Sequence, residues 1–175
     1  MSAVHEHYMA MALQLAQTAA EEGETPTGCV IIDGYSTART ESPVLGRAYN
    51  QVELLRDPTA HAEMLAITQA TEALGDWRLT NTMLYVTKEP CTMCAGAIIL
   101  ARVPLVVMGV ADPERGGHSV FNIFAHPNLN HSCEYIFGVL EAPCLAILQE
   151  FFRNRRAAET DLNEAGRMME DQDDS

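Results

Sequence analysis

The stretch "TMLYVTKEPCTMCAGAIILA", Thr82–Ala101, decides the fold. Its first seven residues, Thr82–Lys88, are β-branched and aromatic-rich and read as a strand. After Glu89-Pro90 the composition turns to alanine, isoleucine and leucine, and a helix begins with Cys91 and Cys94 on its first turn. Downstream, "PLVVMGV" (Pro104–Val110) is a buried strand and "EYIFGV" (Glu134–Val139) a last short one. Between them runs a polar, glycine-containing loop, Asp112 to about Asn130, with a short helix near Val120–Ala125. "APCLAILQEFFRNRR" (Ala142–Arg156) closes the pattern as a helix.

Upstream, "TGCVII" (Thr27–Ile32) and "VLGRAYN" (Val44–Asn50) are the arms of a hairpin across the turn-rich "DGYSTARTESP". Asp57-Pro58-Thr59 supplies a turn and an N-cap for a helix reaching Leu74, where Gly75 ends it. Strands alternate with helices after the hairpin, which predicts a layered α/β fold, largely parallel in its second half.

At 175 residues the chain fits one domain able to bury a core without disulfides. The N-terminus places Val4, Tyr8, Met11 and Leu15 at helical spacing, an amphipathic helix and not a signal peptide. Its apolar runs are too short to span a bilayer. Five cysteines, an odd number without an export signal, indicate a reducing cytoplasm. The net charge of −13 argues against a general nucleic-acid coat and predicts no DNA binding. The charge is uneven, however. "FFRNRR" puts Arg153, Arg155 and Arg156 together, and "ETDLNEAGRMMEDQDDS" after it is acidic. Residues 1–156 are therefore expected to form the domain and 157–175 a disordered or frayed tail.

The chemistry concentrates in "HAE" (His61-Ala62-Glu63) and "PCTMC". Cys91 and Cys94, three apart, lie on one helix face and can chelate one ion, with the helix N-terminus favouring thiolates. Taken alone, a CxxC is also a redox pair or half of a structural zinc site. Cys29 and Cys144, in apolar runs, read as core. With His61 at the start of another helix, a Cys₂His zinc set becomes possible, its fourth position open as in catalytic sites. Residues two apart on a helix diverge, so His61 and Glu63 make a poor pair for one ion, and Glu63 reads as a proton carrier.

These motifs resemble the zinc deaminases. The match of "DPTAHAEMLAI", "LYVTKEPCTMCAGAII", "HPNLNH", "FFRNRR" and "ETPTGCVI" is with the bacterial tRNA adenosine deaminase family, across most of residues 5–156. The resemblance implies a three-layer α/β/α cytidine-deaminase-like fold, a five-stranded mixed sheet flanked by helices. It implies one Zn²⁺ per subunit on His61, Cys91 and Cys94, with Glu63 moving protons between water and adenine. The reaction would be conversion of the wobble adenosine of a tRNA anticodon stem-loop to inosine, by a cytoplasmic homodimer. It implies substrate contacts from Asn50, Ala62 and Asn130, with His131 beside it, and tRNA backbone contacts from Arg153, Arg155 and Arg156. Bland alternatives stand beside these: a turn amide at Asn50, loop ordering at Asn130 and a helix-dipole partner at the arginines.

The chain departs from that family in a longer hairpin connection at 33–43, in Lys88 where an apolar pocket residue is common, and in a reworked 112–125 loop. Less positive surface predicts a shallow salt dependence of RNA binding. A deaminase of a free base or nucleoside, of guanine or cytosine type, uses the same site and is the alternative. A non-catalytic zinc module would be expected to lack Glu63.

Overall fold

The computed structural model describes residues 3–173 except 36 and 38, with side chains through residue 160. Strands β1 (Gly28–Asp33), β2 (Val44–Tyr49), β3 (Thr82–Lys88), β4 (Leu105–Val110) and β5 (Glu134–Ile136) form one sheet in the order β2-β1-β3-β4-β5. β1 pairs antiparallel with both β2 and β3, while β3-β4 and β4-β5 are parallel. This is the mixed, five-stranded α/β arrangement expected from the sequence.

The helices α1 (Ala3–Glu21), α2 (Val52–Leu55), α3 (Ala62–Leu74), α4 (Thr92–Leu100) and α5 (Glu141–Asp173) complete the fold. Side chains alternate across each strand, so the central strands feed two cores. Cys29, Ile31, Leu84, Val86, Val106 and Met108 pack with Ala66 and Ala70 of α3 and Ile98 of α4. Val30, Ile32, Met83, Tyr85 and Val107 pack on the other face with Tyr8, Met9 and Ala12 of α1 and Cys144 of α5. Burial on both faces explains why β1, β3 and β4 read as continuous apolar runs.

The core-facing stripe of α1 is Tyr8, Ala12, Ala16 and Ala19, with Val4, Met11 and Leu15 only partly buried at its flanks. Small residues win because the helix lies directly on β1. A methyl group on Gly28 would run into the backbone of Ala12 and Ala16. Gly46 meets α3 in the same way, against the backbone of Ala66.

Several local expectations are corrected. Asp57 does not cap α3; its Oδ1 accepts from the N–H and hydroxyl of Thr59 at 2.8 and 2.7 Å, closing a turn ahead of the helix. The N-cap is His61, and Gly75 ends the helix in a left-handed conformation, φ +66°. The one-turn α2 was not anticipated. The short helix foreseen near 120–125 is a single 3₁₀ turn, Ile123–Ala125. Helix α5, read from the sequence as Ala142–Arg156, runs on to Asp173. Alanine, glutamate, arginine, methionine and leucine there are good helix formers. Residues 153–160 are all exposed. The 33–43 connection is a surface loop whose carbonyls at Arg39 and Ser42 accept from Tyr8 Oη at 2.8 and 3.0 Å. Its residues 36 and 38 lie outside the described residues, as do 174 and 175 of the tail. No helix among the described residues is long and apolar enough to cross a membrane.

Candidate active site

Two helix starts meet at one end of the sheet. Cys91 is the N-cap of α4 and His61 the N-cap of α3, each with extended backbone and no side-chain capping bond. Both side chains are thereby released to point outward from the helix ends. His61 Nδ1 lies 3.7 Å from Cys91 Sγ and 3.4 Å from Cys94 Sγ. Among the described residues this is the one group of three whose ligand atoms could hold a metal ion, all within 4.8 Å of one another. Zinc bonded at about 2.3 Å to sulfur and 2.0–2.1 Å to nitrogen in a tetrahedron requires sulfur–nitrogen spacings of about 3.5 Å. The two observed spacings bracket that value, so the donor set fits zinc.

The electrostatics suit a cation. The Cys91 thiol falls to about 3, chiefly because Cys94 donates a hydrogen bond to it, with His61 adding to the effect against burial. Cys94 is pushed up, as that donor and by burial. The hydrogen bond with Cys91 also raises His61, against desolvation. The remaining cysteines behave as core. Cys29 and Cys144 are fully buried, and burial raises the Cys144 thiol to about 11.

Glu63 is 3% exposed. Burial pushes its carboxyl above the usual carboxylate range, against a hydrogen bond from its own backbone and the nearby His61. The helical divergence of residues two apart does not govern here, because His61 is extended and lies outside the helix. Its side chain and that of Glu63 therefore line one cavity of about 460 Å³, together with Cys91, Asn50, Phe152 and Arg155.

Of the remaining residues singled out from the sequence, Ala62 is fully buried in the core beneath the site. Arg153 and Arg156 are exposed on α5 and do not line the cavity. Asn130 is not brought to it either; its Oδ1 accepts from Arg102 Nη1 at 2.6 Å. His131 Nε2 lies 2.9 Å from the carbonyl of Val103. In this chain both residues order the loop against the end of α4.

Three residues of the site were not anticipated in these roles. Glu24, 2% exposed, bonds Asn50 and α2. Glu89, 3% exposed, accepts from the N–H groups of Asp112, His118 and Ser119 and from the Ser119 hydroxyl, at 2.7–3.1 Å. That carboxylate clasps the 112–119 loop onto the turn that carries Cys91, and Gly117 N–H adds a bond to the Pro90 carbonyl at 2.8 Å. Lys88, the departure noted above, pairs with Asp112 at 2.6 Å in the cavity wall. Burial alone would raise Asp112; Lys88 and the N–H groups of Arg115 and Glu114 more than offset it and hold the carboxyl low. A larger groove of about 920 Å³ lies between α1 and α5 but is not lined by the metal-ligand set.

Fold and site together define a deaminase: the family model of MafB19-like deaminases matches residues 3–156, and the chain belongs to that family. More narrowly, it is similar to curated proteins called tRNA-specific adenosine deaminase. The Bacillus subtilis (strain 168) protein is 42% identical over 91% of this chain and 98% of the relative. The Aquifex aeolicus (strain VF5) protein is 41% identical over 86% and 95%. Among solved structures, one described as a study of A-to-I editing by tRNA:A34 deaminases at the wobble position has a TM-score of 0.74 and 39% identity, covering 81% of this chain and 99% of that one. A Bacillus subtilis guanine deaminase shares the fold at a TM-score of 0.57 and 28% identity, over 77% of this chain and 83% of that one.

Proposed function

We propose that the chain converts the wobble adenosine of a tRNA anticodon stem-loop to inosine by zinc-dependent hydrolysis, releasing ammonia. The observation that carries this reading is the Cys₂His cluster beside a buried carboxylate, in a cavity that reaches Arg155, one of the three arginines of "FFRNRR". The kinship with tRNA-specific adenosine deaminases supports tRNA as the substrate. His61, Cys91 and Cys94 would hold one Zn²⁺ per subunit. Bound there, zinc supplies Lewis acidity toward a water or substrate atom in its open position.

The chain's own residues do the rest. Glu63 takes a proton from the attacking water and delivers it to the adenine ring nitrogen N1 as oxygen adds at C6. It then takes the second proton, from the oxygen now on C6, and passes it to the amino group, so that the C6–N bond breaks, C6=O forms, water is consumed and ammonia leaves. A carboxyl held above its usual range by burial is a stronger base than an exposed carboxylate, which suits this two-way traffic. Asn50 would contact the nucleoside. Phe152 stands at the cavity where a flanking base can stack.

Arg155 reaches the cavity while Arg153 and Arg156 lie along the exposed helix, so their replacements should separate. Arg155→Ala is expected to raise KM for tRNA severalfold. Arg153→Ala and Arg156→Ala should act as distant phosphate contacts, each lowering the slope of log affinity against log salt by about 1 at most. Equal effects from all three in binding assays across a salt series would contradict this division.

We further propose a homodimer in the cytoplasm. Leu100, Phe121 and Tyr135 are exposed at 68%, 53% and 44%, on the end of α4, the loop between β4 and β5, and the edge strand β5. A second copy of the chain would cover them. Light scattering at twice the 19.2 kDa chain mass is expected; a monomer at micromolar concentration would refute it. Residues 1–156 would be the catalytic domain, with 157–175 an acidic appendage.

The alternative, deamination of a free base of guanine or cytosine type, uses the same cluster. Ammonia release measured side by side from an adenosine-wobble stem-loop, guanine and cytidine separates the two. Turnover of the stem-loop alone supports the tRNA reading, and turnover of a free base alone overturns it.

A further inference from the structure

Asn50 sits at the end of β2 with its backbone N–H bonded to the Thr27 carbonyl at 3.0 Å, and its side chain lines the cavity. The Asn50 amide is not free to turn. Its Nδ2 donates to Glu24 Oε2 at 2.9 Å, while Glu24 Oε1 accepts from Leu54 N–H at 2.8 Å. Leu54 is the third residue of α2, and the N-cap residue Gln51 makes no side-chain capping bond. Glu24 therefore supplies from a distant segment the acceptor that the first turn of α2 lacks. Its own position is fixed as well. Gly23, at φ +80°, turns the chain out of α1, and Glu24 N–H closes back on the Ala19 carbonyl at 2.8 Å.

We infer that Glu24 is a positioning residue that fixes which way the Asn50 amide faces the cavity. A carboxylate offers only acceptors, so the nitrogen branch of the amide must turn toward Glu24. Asn50 then presents its carbonyl oxygen and one remaining N–H to whatever enters. Glu24 touches no reacting atom in this scheme; it acts through Asn50. The inference rests on the reading of the cavity as a nucleoside site, and it assigns the polarity of one contact in that site.

The test is a polarity swap. Glu24→Gln keeps size and burial, and its amide oxygen can still accept from Leu54 N–H. Its nitrogen now faces Asn50, which must rotate and offer its oxygen to Gln, reversing the pattern shown to the substrate. Adding Asn50→Asp restores a donor–acceptor pair, with Gln donating and a carboxylate oxygen again facing the cavity. Glu24→Gln is expected to raise KM about tenfold with a smaller change in kcat, at wild-type Tm and one zinc per chain. The double variant should recover the part of the loss that belongs to the oxygen, though not the part carried by the remaining N–H. Asn50→Asp alone, with two carboxylates opposed, should be the worst of the three.

A purely structural role predicts the reverse, because Glu24→Gln leaves every buried group paired. Wild-type KM in Glu24→Gln, or no recovery in the double variant, would overturn the inference. Failure of the functional reading is a separate event: the wild-type chain would then not deaminate tRNA at all.

Discussion

Glu63→Ala is expected to retain one zinc per chain and the folded state, yet lose deamination by about 10²–10⁴-fold in kcat. The basis is the separation of roles in "HAE". His61 Nδ1 stands within 3.7 Å of both cysteine sulfurs, whereas Glu63 is no member of that cluster. Removing the carboxylate leaves all three ligands in place. It also relieves a buried acid that pays a desolvation penalty, so Tm should hold or rise. Metal content by atomic absorption and single-turnover rates on tRNA check both halves. A variant that loses zinc together with activity would make Glu63 a ligand; one that keeps its rate would remove it from the chemistry.

Cys94→Ser is expected to have an effect as large, by a different route. Cys94 is fully buried, with its sulfur 3.4 Å from His61 Nδ1, so a shorter serine oxygen that stays protonated weakens the site. Zinc content should fall well below one per chain and activity with it. Stability should drop too, because an ion bound to the folded state alone adds its binding free energy to folding. The paired measurement is thermal unfolding with and without a chelator. Wild-type Tm should fall on chelation and the variant's should not. Full zinc occupancy in Cys94→Ser would refute the Cys₂His assignment. The two variants thus separate in metal content while agreeing in lost activity.

How far this could be read from sequence varied with the range of the interactions. The strand at Thr82–Lys88, the helix after it and the place of Cys91 and Cys94 on its first turn were legible because spacing and composition are local signals. His61 was legible because it opens a helix beside an apolar run. Helical periodicity does not apply to this extended N-cap, however, so its side chain and that of Glu63 line the same cavity. Helix α2 was invisible; four residues carry no periodicity, and part of its N-terminal satisfaction comes from Glu24, 30 positions away from Leu54.

The clasp at Glu89 escaped for a related reason. It adjoins Cys91 in sequence, but its partners are backbone N–H groups 23 to 30 residues downstream, and backbone groups leave no mark in composition. Asn130 shows the opposite case. Its motif was plain, but the loop turns it to Arg102 and away from the cavity. Lys88 was noted as an odd residue for a pocket wall, and only the fold reveals Asp112 as its counter-ion. Such pairings depend on which loops the sheet brings together.

The most direct test of the account is to map the reaction within tRNA. A transcript with adenosine at the wobble position, incubated with the zinc-loaded protein, is reverse-transcribed and sequenced beside its Glu63→Ala control. The account predicts that this single adenosine is read as guanosine, with one ammonia released per tRNA and no change in the control. An unchanged wobble adenosine, with ammonia released instead from free guanine or cytidine, would contradict it.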